Sequence, residues 1–223
     1  MRCFVKLAVL SAISLSACNC RADVSFLDAD NFGQHWTVES ESDSYSVEFK
    51  DGYCELVAPK GLTMWRNEKL SGNIAIEYDA CVFEEKEGDR LSDLNCFWMA
   101  SDPRTGDIFG RMEERHGVFG NCASLQLYYV GYGGNHNSTT RFRRYNGEPG
   151  PAIIKEYTDS GHLLQPNHWY HIKLQCRDGN VQYWIDGECL VDWNDPEPLR
   201  EGWFGFRTTL SRTGIKNFKY TNL

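Results

Sequence analysis

The chain has 223 residues, and its 23 Lys and Arg against 31 Asp and Glu give a formal net charge of −8 at pH 7. This acidic balance argues against a nucleic-acid partner, which would require a basic face. The aromatic content of 13% argues against intrinsic disorder, and the length suffices for one large domain with a sizeable core.

The first residues are typical of a bacterial export signal. Arg2 and Lys6 precede an apolar run over residues 7–15, which is too short to remain in a bilayer as a spanning helix. The run ends in Leu15-Ser16-Ala17-Cys18, which resembles the lipobox of bacterial lipoproteins. That resemblance implies cleavage before Cys18 and attachment of acyl chains to it. The alternative is an ordinary cleaved signal followed by a chance cysteine.

The predicted organisation is a signal peptide over residues 1–17, a tether over 18–23 and one domain over 24–223. We expect an exported monomer whose contact with the outer membrane, on its periplasmic or cell-surface side, is made only by the lipid anchor. Asn19 rather than Asp follows Cys18, so nothing in the signal indicates retention at the inner membrane.

Hard oxygen ligands stand near the start of the domain, where Asp28, Asp30 and Asn31 could hold a structural calcium ion. These residues do not follow the EF-hand pattern, and the alternative is an acidic turn before the first strand. No metal ligand is predicted for the functional site, and no cofactor is required apart from this possible calcium ion.

Alternating apolar residues predict strands along most of the chain. The clearest cover residues 74–82, 169–176, 181–185, 189–193 and 203–209, with turn signals at 177–180 and 186–187. Residues 84–90 are predicted to be a solvated loop. No capped run of helical periodicity reaches a dozen residues. The pattern predicts an all-β sandwich of antiparallel sheets, one of which curves around a ligand groove.

Six cysteines follow Cys18 and Cys20, namely Cys54, Cys81, Cys96, Cys122, Cys176 and Cys189. Export would permit disulfides, whereas their positions within strand patterns would suit buried thiols, and the sequence does not decide between the two. No Cys/His spacing supports a zinc site.

Residues 125–145 form two alternating segments around a glycine-rich loop that carries Asn135, His136 and Asn137. If Leu125, Leu127 and Phe142 face the core, the opposite face becomes a polar and aromatic patch. That patch comprises Gln126, Tyr128, Tyr132, Arg141, Arg143 and Tyr145. Tyrosine rings stack on sugars and guanidinium groups bind carboxylates through two parallel bonds. The alternative is a solvated hairpin.

The closing third carries a family resemblance in residues 167–174, 181–187 and 202–207, with a tryptophan opening a strand, an Asp-Gly hairpin and a Gly-x-x-Gly-x-Arg strand. These segments resemble concanavalin A-like jelly rolls. Residues 125–129, 141–144 and 204–207 resemble more narrowly the YesU-like proteins, which are linked to the breakdown of rhamnogalacturonan and other plant polysaccharides. A more distant similarity reaches the 3-keto-disaccharide hydrolase jelly rolls. The resemblance implies a sandwich of two antiparallel sheets with a concave groove and a carbohydrate ligand.

Elimination at an acidic sugar needs a base, groups that neutralise a carboxylate and an acid for the leaving oxygen. In the predicted patch His136 or a tyrosine would be the base, Arg141, Arg143 and Asn135 would neutralise, and Tyr128 or Tyr132 would be the acid. The alternative for His136 is a turn residue with local hydrogen bonds.

Hydrolysis would instead need two carboxylates across the scissile bond. Glu77 and Asp79 share a strand face, but Cys81 stands where laminarinase-like jelly rolls have a third acid. Glu113 and Glu114 are adjacent, so only one could serve, and Glu114 is the catalytic candidate. Arg111, Arg115 and His116 nearby would equally suit a salt-bridged surface.

The remaining predictions concern substrate contacts. Phe204 and Phe206 are expected in the core and Arg207 in the groove. The predicted substrate-binding residues are Gln126, Asn135, Asn137, Arg141, Tyr145, Arg207, Trp203 and His116. Together these features predict a carbohydrate-active enzyme, a lyase or a glycosidase, that cleaves a uronic-acid-containing, pectin-like oligo- or polysaccharide. The alternative is a non-catalytic carbohydrate-binding lipoprotein.

Overall fold

A computed structural model describes residues 27–223, and these residues form an almost entirely antiparallel β structure. The strands are β1 (Trp36–Ser40), β2 (Ser46–Lys50), β3 (Tyr53–Arg66), β4 (Leu70–Ser71), β5 (Ile74–Phe83), β6 (Leu94–Ser101), β7 (Gln126–Gly133), β8 (Thr139–Asn146), β9 (Ala152–Tyr157), β10 (Tyr170–Arg177), β11 (Asn180–Ile185), β12 (Glu188–Asn194) and β13 (Glu201–Asn222). Single helical turns are α1 (Phe32–His35), α2 (Met112–Arg115) and α3 (Gly134–Asn137), with 3₁₀ turns at Phe119–Ser124 and Ser160–His162. In this described part of the chain no helix is long and apolar enough to cross a bilayer.

Two long strands, β3 and β13, belong to both layers of the sandwich. Their pairing shifts register between Thr209 and Ser211, where β13 passes from one layer into the other. The concave sheet runs β1-β3-β13-β6-β7-β8-β9, and the convex sheet runs β2-β3-β13-β5-β10-β11-β12. The predicted jelly-roll sandwich is thereby confirmed.

The main core lies between the two sheets. Trp98, Tyr128 and Phe142 of the concave sheet enter it from one side, and alternating residues of β5, β10 and β11 enter it from the other. Phe204 and Phe206 are buried in it as predicted, with ring centroids 4.7 Å apart. Burial of these rings supplies the apolar area on which such a sandwich depends.

A second, smaller core covers part of the outward face of the concave sheet. Trp65, Phe97 and Trp203 lie on this face and are buried beneath the segment 102–125, which contributes Ile108 and Cys122. Residues 102–125, called the cover segment below, therefore close one half of the concave face and leave the other half open.

The six cysteines of the described chain are free thiols, five of them buried and Cys189 partly exposed. Burial raises the pKa of the Cys54, Cys81 and Cys96 thiols to about 12, so they remain protonated near neutral pH. Of the two alternatives, the buried thiol is the one that the structure adopts.

Two sequence predictions concern the start of the chain. Cys18, the signal peptide and the tether lie outside the described residues. Asp28 accepts hydrogen bonds from the backbone and side-chain nitrogens of Asn31, as an acidic turn would. Within residues 27–223 no group of three or more His, Cys, Asp or Glu side chains is placed to hold a metal ion, so the calcium prediction gains no ligand set.

Candidate functional site

A row of paired polar residues crosses the open half of the concave sheet. Strand pairing aligns Arg207 with Asn95, Asn95 with Gly131, and Gly131 with Arg141. Thr63 of β3 and Glu156 of β9 extend the row at its two ends. Paired residues of neighbouring strands point to the same face, so this row forms a polar floor. The next row toward the cover segment is aromatic, with Phe97 opposite Tyr129.

Two adjoining depressions of about 270 and 290 Å³ lie over this floor. They share Asp93, Phe119, Tyr129 and Thr209, and we call the combined depression the groove. Its other lining residues are Glu41, Arg90, Asn95, Val118, Gly120, Gly131, Gly134, Asn135, His136, Thr139, Arg141, Arg143 and Arg207. Ligand pockets commonly measure roughly 300–1,000 Å³, so the groove has the scale of a small-ligand site.

Several polar atoms around the groove lack a hydrogen-bond partner in the described structure. They are Asn95 Oδ1 on the floor and the Nε atoms of Arg90 and Arg143. Asn95 itself is only 7% exposed. Buried polar atoms are seldom left unpaired, because each costs free energy of desolvation.

Of the two acids that line the groove, Asp93 has more hydrogen-bond and ion-pair partners than Glu41 does. Its carboxylate accepts hydrogen bonds from Ser92 Oγ at 2.7 Å and Asn95 Nδ2 at 3.3 Å, and Arg90 Nη2 lies at 3.1 Å. Its backbone has φ of +65°, a conformation uncommon outside glycine. Three donors thus hold the Asp93 carboxylate in place on the floor.

The arginines of β8 stand on the same face. Arg141 Nε donates to Glu156 at 2.7 Å, and both side chains are partly exposed. The Arg143 guanidinium lies 5.8 Å from the centre of the Tyr129 ring, within the range of a cation–π contact. Arg143 also forms a side-chain hydrogen bond with Tyr145, but unlike Arg141 it makes no salt bridge within the described residues.

Tyr129 leans along its own strand over Gly131. A Cβ atom on Gly131 would stand only 2.2 Å from the Tyr129 hydroxyl oxygen, so this position requires glycine. Burial raises the pKa of Tyr129 above its usual value, and the hydroxyl stays protonated through the physiological range. The groove therefore contains a tyrosine that can donate a proton or a hydrogen bond.

The structure brings four predicted site residues together in the groove, namely Asn135, His136, Arg141 and Arg143. Asn135 Nδ2 donates to Ser138 Oγ, and the exposed His136 lies in the α3 turn with φ of +57°. Arg207 also lines the groove but is 3% exposed, and its guanidinium donates to Thr63 and to the Gly117 carbonyl.

Tyr128 and Tyr132 were assigned to the wrong face. β7 pairs with β8 so that Tyr129, not Tyr128, lies opposite Arg143. Tyr128 is fully buried in the main core, where its hydroxyl donates to Asp195 at 2.6 Å, and Tyr132 is 3% exposed there. The error arose because Leu127 faces the second core rather than the main one.

Glu114, His116 and Trp203 lie away from the lining of the groove. Glu114 forms exposed ion pairs with Arg111 and Arg104, so it belongs to a salt-bridged surface, which was the alternative prediction for this segment. His116 is exposed at the end of α2. Trp203 is 8% exposed and packs edge-on against Phe109, so its face cannot stack on a sugar.

Gln126, Asn137 and Tyr145 have structural roles. Gln126 reaches the Asn146 carbonyl at the edge of the sheet. Asn137 donates to the carbonyl and accepts from the amide nitrogen of Leu164, which fixes the α3 turn. Tyr145 is 2% exposed and packs edge-on against Tyr129 on the same face of the sheet.

The acids considered for hydrolysis are also remote. Glu77 and Asp79 lie on the convex sheet, where His171 Nδ1 is 2.8 Å from Asp79 Oδ1. Sequence reasoning missed Asp93, Asn95, Tyr129, Arg90 and Phe119. The alternation of faces along β7 could have identified Tyr129. The other four residues reach the groove from distant segments, and no local sequence pattern marks them.

Comparison with solved structures supports the fold. A Bacillus subtilis protein of unknown function with a galectin-like fold superposes with a TM-score of 0.72 at 18% identity, covering 87% of this chain and 92% of that one. The B. subtilis carbohydrate-binding module CBM66 gives 0.57 at 14% identity, covering 84% and 96%. A Parabacteroides distasonis protein proposed to be a glycosyl hydrolase gives 0.51 at 12% identity, covering 85% and 89%.

Sequence comparison shows the family. No curated protein matches the chain significantly. One family model, described as a domain of unknown function, matches residues 56–218, a span that includes most of the groove. The narrower YesU-like relationship therefore stays a prediction. The chain belongs to the DUF6250 family.

Proposed function

We propose that this protein is carbohydrate-active and binds an acidic, uronate-containing oligo- or polysaccharide in the groove. The observation that carries the proposal is that Arg141, Arg143 and Asn135 line one floor with side chains that are partly or fully exposed. Sugars offer both donors and acceptors, and a uronate adds the carboxylate that guanidinium groups recognise best. The similarity in fold to CBM66 and to a proposed glycosyl hydrolase agrees with a saccharide ligand.

The arginines set the preference for a negative ligand. Arg141 and Arg143 stand on the open floor, and Arg90 borders it. The chain carries eight more acidic than basic residues overall, so a local group of arginines is unlike the rest of the surface. Arg141 and Arg90 already have carboxylate partners in Glu156 and Asp93, whereas Arg143 makes no salt bridge within the described residues, so a uronate carboxylate would bind beside Arg143.

The groove also supports a reaction, which is the β-elimination of a uronate glycoside. His136 would take the C5 proton, Arg143 and Arg141 would neutralise the carboxylate, and Tyr129 would protonate the leaving oxygen. Tyr129 replaces the core residues Tyr128 and Tyr132 in the acid role. Elimination breaks the glycosidic bond without water and leaves a double bond in the product.

Elimination fits the groove better than hydrolysis does. Asp93 would be the acid nearest the floor, but three donors already occupy its carboxylate, which leaves it less free to contact a substrate. Pure binding remains the second candidate because the same arginines and Tyr129 ring would serve it equally.

The test uses pectic oligosaccharides, mass spectrometry and the ultraviolet absorbance of the unsaturated uronate. Elimination gives products that absorb in the ultraviolet and whose masses add up to that of the substrate. Hydrolysis gives products whose summed mass exceeds that of the substrate by one water. A protein that only binds leaves the substrate intact, and the immobilised protein then retains the substrate on a column. Absence of both binding and cleavage across acidic oligosaccharides would overturn the proposal.

Two histidine variants form a matched pair for the catalytic part. His136 and His116 are both exposed and both have positive φ, +57° and +48°, so asparagine suits either position. His136→Asn should reduce turnover at least ~100-fold, the scale of a lost general base. His116→Asn should leave turnover unchanged. Equal activity of the two variants would remove His136 from the mechanism.

A further inference from the structure

We infer that the groove is closed at one end and recognises the end of a glycan chain rather than its interior. The inference rests on the proposed function for the nature of its ligand. Its structural basis is the cover segment, which lies across the polar row at the β1–β3 side and leaves the β8–β9 side open.

Gly117 forms the closure. Its amide nitrogen donates to Glu39 Oε1 at 3.1 Å, and its carbonyl accepts from Arg207 Nη1. A Cβ on Gly117 would lie 2.7 Å from Glu41 N, so the backbone of the cover segment is in direct contact with β1. A glycan running along the row past Arg207 would have to pass through this contact.

The wall continues beyond Gly117. Val118, Phe119 and Gly120 line the groove on this side, and the Arg207 guanidinium lies 5.6 Å from the centre of the Phe119 ring. Glu41 completes the end, where its Oε2 accepts from Gly61 N at 3.3 Å. Backbone and side chains thus surround the terminal position on three sides.

The closure is fixed and does not act as a lid. Arg115 of the cover segment pairs with Glu39 of β1 at 2.8 Å, and each side chain is 2% exposed. Trp65 Nε1 donates to the same carboxylate at 2.9 Å. A buried pair with this many hydrogen bonds would be costly to open, so the end of the groove stays closed.

The opposite end is open. The row continues through Arg141 to Glu156 on β9, a strand at the edge of the sheet whose residues are all exposed or partly exposed. His136 and Arg143 border this side. A chain can therefore enter from β9 with its terminal sugar toward Glu41, whose carboxylate can accept hydrogen bonds from terminal hydroxyls.

The experiment measures stoichiometry by titration calorimetry of the full-length His136→Asn variant, in which cleavage is suppressed, with oligogalacturonates of increasing length and with long polygalacturonate. One protein per chain, independent of length, is the expected result. Stoichiometry that rises in proportion to polymer length would overturn the inference while leaving the proposed function intact.

A second arm blocks one chain end at a time, with a bulky tag on the reducing end or a capped non-reducing end. One of the two modifications should weaken binding at least 10-fold and the other should have no effect. Equal affinities of the oligosaccharide tagged at its reducing end and the one capped at its non-reducing end would contradict a closed end. The same titrations are made with a series of neutral oligosaccharides. If only the neutral series binds, with the same end dependence, the acidic assignment fails and the closed end stands. If neither the acidic nor the neutral series binds, both proposals fail.

Discussion

The two halves of the concave face are built by the same strands and have opposite properties. Phe97 of β6 lies in the closed half, stacked on Trp65 with ring centroids 5.5 Å apart, and is fully buried. Asn95, two residues earlier on the same face, lies in the open half with an unpartnered oxygen. The difference shows that the cover segment decides which part of a sheet becomes core and which part can bind a ligand.

Ion pairs stabilise the surroundings of both halves, and these pairs differ in how well they are shielded from solvent. The Arg115–Glu39 pair beneath the cover segment is sealed from solvent. Arg212 lies where β13 has passed into the convex sheet, and it binds Asp89 at 2.8 Å and Glu55 at 3.1 Å, which anchors the loop leading to Arg90 at the border of the open half. Asp89 is 10% exposed in its side chain, so solvent reaches the anchor of the open half more readily than it reaches the closed one.

The largest expected effect comes from breaking the closed half. Glu39→Ala should lower the free energy of unfolding by about 3–5 kcal/mol, because it leaves the Arg115 guanidinium buried without its counter-charge. Urea denaturation followed by tryptophan fluorescence measures the change. The double variant Glu39→Gln with Arg115→Met should recover most of the loss, since it removes both charges together and keeps an acceptor for Trp65 Nε1 and Gly117 N. If the single variant were as stable as the wild type, the pair would not hold the cover segment.

A weaker effect, confined to binding, is expected in the open half. Arg143→Gln should change the free energy of unfolding by less than about 0.5 kcal/mol. It should weaken binding of an acidic oligosaccharide by ~10- to 100-fold, as expected for loss of charged hydrogen bonds worth about 1.5–3 kcal/mol. Arg177→Gln is the matched control, because that side chain is 65% exposed and does not line the groove. Calorimetric titration separates the two variants, and equal affinities would exclude Arg143 from the site.

The smallest effect concerns pH and the anchor of the open half. Hydrogen bonds from Arg212 and from the backbone of residues 85 and 86 lower the pKa of Asp89 in the folded protein. A lowered carboxyl pKa contributes stability that is complete above its unfolded value of about 3.9 and is lost as the pH falls below it. Asp89→Asn should therefore cost about 1 kcal/mol at pH 6 and progressively less toward pH 2. Thermal unfolding at the two pH values measures this, and a cost that grows in acid would contradict the assignment.

The sequence predicted the fold well because its signals are local. Alternation over residues 74–82 and 181–185 matches β5 and β11 closely, and the Asp-Gly turn at 186–187 joins β11 to β12. Each strand could be recognised from its own residues, and many short antiparallel strands admit few architectures. The family resemblance then supplied the jelly-roll arrangement.

The site was predicted only where it lies on one contiguous hairpin. His136, Arg141 and Arg143 are close in sequence and meet in the groove. Arg90 was assigned to a solvated loop, and Asp93 and Asn95 were missed because they become neighbours of β8 only through β6 and β7. The face of β7 was inverted because apolar Leu127 indicated a core, and a single sequence does not reveal that there are two cores.

The passage of β3 and β13 through both layers has a mechanical consequence. β13 is one uninterrupted strand of 22 residues and β3 one of 14, so the layers are joined by continuous backbone and not only by side-chain packing. The sandwich consequently has no seam along which one sheet could swing away from the other. A ligand meets walls already in their final positions, so the protein loses less conformational entropy on binding. Affinity differences among ligands should then reside in their dissociation rates, with association close to that of a rigid receptor.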